Sequence, residues 1–429
     1  TATPTATATP TLTATPTITA TPTATATPTP TATPTLTATP TVTVTSTPGE
    51  HAALWFSGST RADTTATYYH TATSTTIALT ELTLPFDAEI SNLFAIAGNP
   101  ISTGTQTITV VQNGTPDTTL ECAITGSATL CNDTTGTISV TAGSRLTIQS
   151  VATSGATAPG LEATVQVNAT GGSPYDSLLS WGFPAASSVD GSFCAPACSS
   201  GCPATACNQT TETSANWVAT SAGTVSGLSI RLGSTVGAAR TETYTVRNTT
   251  GAADTDCTVT INAGGQGATQ SNCTTAFSAG DKMTVRFNRT GTAESKSRNI
   301  TVTTNGNGGW FGTLNDGFNM TTDRRTGWHD GFASTGGVWP VPYAATAKNL
   351  RVTIPSVPSS NFTVTVCTSS SGATICTGTR PTCTVTTADT SCSDTTNTVA
   401  LSAGDHIAIN FAGSISGSPK VSIAVELLP

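Results

Sequence analysis

Three short strings constrain this chain more than any other feature: TAGSRLTI at 141–148, SAGDKMTV at 278–285 and SAGDHIAI at 402–409. Each sets Ala-Gly before an apolar/polar alternation, the pattern of a tight turn that delivers the chain into a strand. A leucine strand comes well before each string: Pro85-Phe86…Ile90…Leu93, Trp217-Val218…Val225…Leu228, and Pro342-Tyr343…Ala347…Leu350. Between the two lies a hairpin, TQTITVVQNG to LECAI, TETYTVRNTTG to DCTVTI, and NFTVTVCTSSSG to TCTVTT. Turns are expected at Asn113-Gly114, Thr250-Gly251 and Ser371-Gly372. No helical period interrupts these runs after Gly49, so an all-β chain of three tandem β-sandwiches is expected. The boundaries are read as 49–170, 171–303 and 304–429, behind an arm at 1–48.

The cysteines follow the same repeat. Cys122 to Cys131 and Cys383 to Cys392 are both nine positions apart, and Cys131 to Gly143 and Cys392 to Gly404 are both twelve. The middle copy stretches the first interval, Cys257 to Cys273. Bridges Cys122–Cys131, Cys257–Cys273 and Cys383–Cys392 are therefore expected at equivalent places, with Cys367–Cys376 across the third hairpin. Each closes a short loop and contributes about 2–3 kcal/mol on the chain-entropy account. Cys194, Cys198, Cys202 and Cys207 staple a Gly/Ala-rich loop, and their three possible pairings stay open. Twelve cysteines with no Cys/His zinc spacing point to disulfides in an oxidising compartment, outside the cell or on its surface.

The string running from the leucine strand through the hairpin to A-G-D-x-h-x-h resembles jelly-roll modules of the C1q/TNF-like kind, found at the ends of bacterial and phage surface fibres. The resemblance extends three times over residues 50–429. It implies a jelly-roll β-sandwich scaffold and an extracellular role, but no activity. Members of this kind often trimerise through one sheet, although no collagen-like G-x-y run accompanies the modules here.

Residues 1–47 carry threonine at every odd position, and 1–42 read T-A-T-P-T-x seven times. Recurrent proline excludes a helix. Two extended forms remain. Polyproline II spreads the hydroxyls around the axis, whereas a strand places every threonine on one face. All nine prolines, from Pro4 through Pro10, Pro16, Pro22, Pro28, Pro34 and Pro40 to Pro48, are even-numbered. In a strand, donors would then be lost from one edge only, and the other edge could still pair. Fully extended, the arm from Thr1 reaches roughly 150–160 Å, well beyond a sandwich about 35–40 Å across. Its 24 threonines would be open to O-linked glycans in either form.

Net charge −8, a pI near 4.9 and only 16 Lys+Arg exclude a nucleic-acid footprint. No apolar run is long enough to span a bilayer. No secretory leader is visible at Thr1, so a mature or trimmed chain is expected. There is no G-x-S-x-G, H-E-x-x-H or P-loop string, so neither catalysis nor a cofactor is expected. The densest polar stretch runs from Asn315-Asp316 to Thr322-Asp323-Arg324-Arg325 and Trp328-His329-Asp330. It reads either as a sugar-binding patch, with Trp328 stacking on a pyranose and His329 and Asp330 beside it, or as a structural loop. Asp281 and Asp405 read as turn aspartates, since a calcium site needs several converging oxygens.

Two functions fit these features. One is an extracellular subunit whose arm docks on copies of itself to build a filament, with head-to-tail contacts and covalent glycans. The other is a monomeric, glycan-stalked adhesin or carbohydrate-binding protein.

Overall fold

The computed structural model describes residues 51–58, 66–69, 73–101, 103–153, 160–170, 177–187, 190, 192–194, 216–305, 309–315, 324–326, 339–369, 376–413 and 421–429. The arm, from Thr1 through Pro4, Pro10, Pro16, Pro22, Pro28, Pro34 and Pro40, lies outside the described residues. So do Cys198, Cys202, Cys207 and the Trp328-His329-Asp330 cluster.

Two antiparallel sheets make the first sandwich. One has the order β1 (His51–Gly58), β10 (Leu161–Ala169), β5 (Ala88–Ala97), β8 (Leu130–Val140). The other runs β3 (Thr73–Ser74), β2 (Thr67–Tyr69), β9 (Arg145–Ala152), β6 (Thr105–Gln112), β7 (Thr115–Thr125), with β4 (Leu82–Thr83) also on β9. If β2 and β4 count as one interrupted strand, the orders are first-eighth-third-sixth and second-seventh-fourth-fifth, which is a jelly roll.

The same orders recur twice. The second sandwich pairs β11 (Ser177–Ser187), β20 (Ser295–Asn305), β14 (Gly223–Leu232) and β17 (Gly267–Gln270), with β18 (Ala276–Phe277) on β14. Its other sheet is β12 (Ser192–Cys194), β19 (Lys282–Thr290), β15 (Thr241–Asn248) and β16 (Ala253–Asn262), with β13 (Trp217–Val218) on β19. The third pairs β21 (Gly309–Asn315), β30 (Val421–Leu428), β24 (Ala345–Thr353) and β27 (Ser391–Asp394), with β28 (Val399–Leu401) on β24. Opposite lie β22 (Arg324–Thr326), β29 (His406–Gly413), β25 (Phe362–Ser369) and β26 (Thr382–Val385), with β23 (Trp339–Pro340) on β29. The described part of the chain is thus all-β, three tandem jelly-roll sandwiches, with a single short 3-10 turn at Ile77–Leu79 among the described residues.

The Ala-Gly strings act as one device used three times. Gly143, Gly280 and Gly404 take φ of +88°, +89° and +85°, which glycine adopts without a Cβ penalty. Each turn closes on the second strand: the N–H groups of Leu84, Ala219 and Val341 donate to the carbonyls of Ser144, Asp281 and Asp405 at 3.0, 2.8 and 2.7 Å. The Ser144 hydroxyl and the Asp281 and Asp405 carboxylates each accept the N–H three residues earlier, at 3.2, 2.8 and 2.7 Å. The two aspartates are therefore turn caps.

Register corrects one alignment made from sequence. Leu82, Trp217 and Trp339 lie opposite Leu146, Met283 and Ile407. Pro85-Phe86 and Pro342-Tyr343 accordingly match Thr220-Ser221, three residues past Trp217-Val218. In the second hairpin the left-handed turn residue is Ala252 (φ +51°), whereas Asn113 (+52°) and Gly114 (+87°) fill the first.

Candidate functional site

The chemistry of this chain is concentrated at its edges and seams. Cys122–Cys131, Cys257–Cys273, Cys367–Cys376 and Cys383–Cys392 are bonded. Three of these join the edge strands of the two sheets, β7 to β8, β26 to β27, and β16 to the segment after β17. The backbone of Cys194 sits in β12.

An aspartate reinforces each of these three corners. Asp133 accepts the N–H of Glu121 (3.3 Å), and Asp394, at the equivalent place, accepts that of Thr382 (2.9 Å). In the second sandwich Asp256 sits on the opposite strand and accepts the N–H groups of Thr274 and Thr275 at 2.8 and 3.1 Å. Burial alone would raise these carboxyls. The converging donors outweigh it and hold all three below the ordinary aspartate value, Asp394 furthest. Disulfide and carboxylate together pin these corners, each carboxylate accepting backbone N–H groups there.

The first-eighth-third-sixth sheets face inward, each covered by the preceding sandwich in the ring. β4 packs on β20 and β14, β13 on β30 and β24, and β23 on β10 and β5. These are equivalent contacts, running from sandwich 1 to 2, 2 to 3 and 3 back to 1. β1, β11 and β21 meet pairwise at the centre. A head-to-tail contact that closes after three steps is a threefold ring, and here one chain supplies all three positions.

Each seam has its own polar match. From 1 to 2, Asn299 donates to the carbonyls of Leu79 (3.3 Å) and Glu81 (2.7 Å), while Glu81 pairs with Arg145 (3.1 Å) and Arg231 (3.6 Å). From 2 to 3, Arg351 donates to the Thr220 carbonyl (2.9 Å) and Ser221 to Glu426 (3.3 Å). From 3 to 1, the Thr164 hydroxyl donates to the Pro340 carbonyl (2.9 Å). Trp55 meets Trp339 edge-on with centroids 5.8 Å apart, and His51 lies 5.8 Å from Tyr343. Trp55 and Trp181 are both buried, the first at this seam, the second against Trp217 in its own core.

Sandwich 2 also carries a buried ionic cluster. Arg298 donates to Glu242 (2.9 Å) and to the Tyr244 hydroxyl (3.0 Å), and Tyr244 donates to Glu242 (2.6 Å). Lys296 adds a contact to Glu294 at 2.6 Å. Burial pushes the Tyr244 phenol well up; Arg298 is held above its usual value because Tyr244 and Glu242 outweigh its own desolvation. Sequence patterning missed this cluster, although Glu242 and Tyr244 alternate in T-E-T-Y-T as core positions do.

Among the described residues no group of three His, Cys, Asp or Glu side chains could hold a metal ion, and no helix is long and apolar enough to cross a membrane. Of the sugar-patch stretch, Arg324-Arg325 form strand backbone in β22 and Asn315 ends β21.

No protein-family model matches the chain, and no curated protein matches it. Among solved structures it is similar to one from an archaeal virus, described as "The Triple Jelly Roll Fold and Turret Assembly in an Archaeal Virus". Identity is 9%, over 88% of this chain and 94% of that one, with a TM-score of 0.15. A score that low carries no argument about fold or function.

Proposed function

We infer that this chain is an extracellular structural subunit, a threefold block of disulfide-pinned jelly rolls whose Thr/Pro arm docks on neighbouring copies to build a filament or surface appendage. The observation that carries the reading is the alternation of residues 1–47, with every proline on the even positions. Such a segment keeps one full edge of backbone donors for pairing and a threonine face for O-linked glycans. The sandwiches support it from the other side, as three disulfide-pinned building blocks in one chain. No catalytic step and no cofactor enter this reading. The four disulfides among the described residues are compatible with an oxidising compartment outside the cell.

Negative-stain microscopy of the full chain and of a chain beginning at Gly49 tests it. Filaments from the first and isolated particles from the second are expected. Identical filaments from both would remove the arm from assembly; isolated particles from both would favour the stalked adhesin.

A further inference from the structure

We propose that the seam between sandwiches 3 and 1 is an exchangeable joint, closed within one chain at rest and able to take a second copy of the same chain when it opens. The proposal does not rest on the arm, because every residue it invokes lies at or after His51. Three observations carry it.

The first is connectivity. Sandwich 1 passes to 2 through residues 170–176, and 2 passes to 3 through 306–308, so those seams are held by short covalent links. The 3-to-1 seam has none, and its partners Thr164 and Pro340 are 176 positions apart. Nothing covalent therefore prevents the Pro340 side of one chain from meeting the Thr164 side of another.

The second is geometry. A head-to-tail surface is complementary to its partner and not to itself. The two halves are distinct: Trp339, Pro340, Tyr343 and Gly404 on sandwich 3, and Trp55, Phe94 and Thr164 on sandwich 1. A Cβ at Gly404 would lie 2.9 Å from Phe94 Cε1, so the turn and the ring are in close contact. The equivalent turn at Gly143 has nothing within 4 Å of its Cβ position.

The third is chemistry. Thr164 is fully buried on the outer face of β10, and Gln166 beside it is nearly so. These groups belong to neither core. Opening the seam returns them to water, together with the Trp55–Trp339 contact that the seam buries. Closure in one chain is favoured because tethering gives an effective concentration on the order of millimolar.

Complementation tests the joint. Thr164→Arg spoils the sandwich 1 half and leaves the sandwich 3 half intact; Gly404→Leu does the reverse. Both are made in chains beginning at Gly49, which keep every core residue among the described residues, the first being Ala52. Each variant alone should remain a monomer, with a larger hydrodynamic radius than the parent. Mixed, they should form a 1:1 complex of about twice the single-chain mass. Gly143→Leu, with φ of +88° against +85°, controls for turn strain and should stay compact. Either of two results overturns the proposal: variants that stay as compact as the parent, or expanded variants that form no complex on mixing. Where near-UV ellipticity shows that Thr164→Arg has unfolded its own sandwich, Phe94→Arg takes its place on the same half.

Discussion

The ionic cluster in sandwich 2 gives a sharp energetic prediction, because the other two sandwiches show what its positions hold when uncharged. Strand register places Glu242 level with Gln106 and Phe362, Tyr244 with Ile108 and Val364, and Arg298 with Leu161 and Val421. Arg298 and Glu242 are 2% and 4% exposed. Replacing Arg298 alone by Leu leaves the buried Glu242 carboxylate without its hydrogen-bonded cation, with only Lys296 at 3.9 Å to offset it, at a cost of about 3 kcal/mol, the lower end for a broken buried pair. It also removes a guanidinium 5.1 Å above the Phe287 ring, a contact of about 2 kcal/mol when desolvated, part of which is already included in that cost.

Replacing all three together, Glu242→Phe, Tyr244→Val and Arg298→Leu, leaves no orphaned charge among them and restores an apolar set like that beside Phe411. Buried ion pairs exchanged for packed apolar groups are neutral to about 4 kcal/mol stabilising. The triple variant should therefore be more stable than the single one by at least about 3 kcal/mol. Urea unfolding, read by fluorescence, measures both. A single variant within 1 kcal/mol of the parent, or a triple variant no better than the single, would refute the reasoning.

Further outcomes follow from the corners and turns. Cys383→Ser with Cys392→Ser opens a loop of nine positions and should cost about 2.6 kcal/mol of unfolding free energy, measured by urea titration. Asp394 has its folded pKa lowered, so its contribution is present above the unfolded value near pH 3.9 and is lost as pH falls toward the folded one. Asp394→Asn should accordingly destabilise at pH 7 and match the parent in strong acid, as followed by thermal melts across pH. His406 is buried, and burial lowers its pKa against the pull of Asp405. The unfolded chain takes that proton first, so stability should fall as pH drops below about 6.5, by at most about 1.4 kcal/mol per unit. His406→Gln should flatten that limb.

Turn and bridge chemistry was legible in the sequence because it depends on residue types at fixed offsets. Only glycine sits easily at φ near +88°, so Ala-Gly marks Gly143, Gly280 and Gly404 without any tertiary knowledge. The nine-position cysteine spacing worked for the same reason, since a hairpin corner fixes how much chain separates two edge strands. The seams were not legible. Thr164, Ser229, Thr301 and Thr303 are buried at 0–1% exposure, yet they alternate with apolar residues just as a solvated strand face does. Alternation reports which face is the core but not whether the other face meets water or a neighbouring sandwich. Trp217-Val218 misled in a related way, because an apolar pair opening the second strand looks like the Pro-Phe pair three places later in the other copies.

The same limit explains why three similar sandwiches in one chain need not be redundant. Their cores repeat, but their seams do not: carbonyl acceptors and an ion pair from 1 to 2, arginine and a serine–glutamate contact from 2 to 3, paired tryptophans and a threonine from 3 to 1. Identical seams would let any sandwich follow any other, and the ring could close in either of its two cyclic orders. Distinct polar matches penalise the wrong neighbour, since each buried polar group left unpaired costs about 1–3 kcal/mol. Divergence at the inner sheets thus fixes the order of the ring, and the one seam without a covalent link is where that order has to be enforced by chemistry alone.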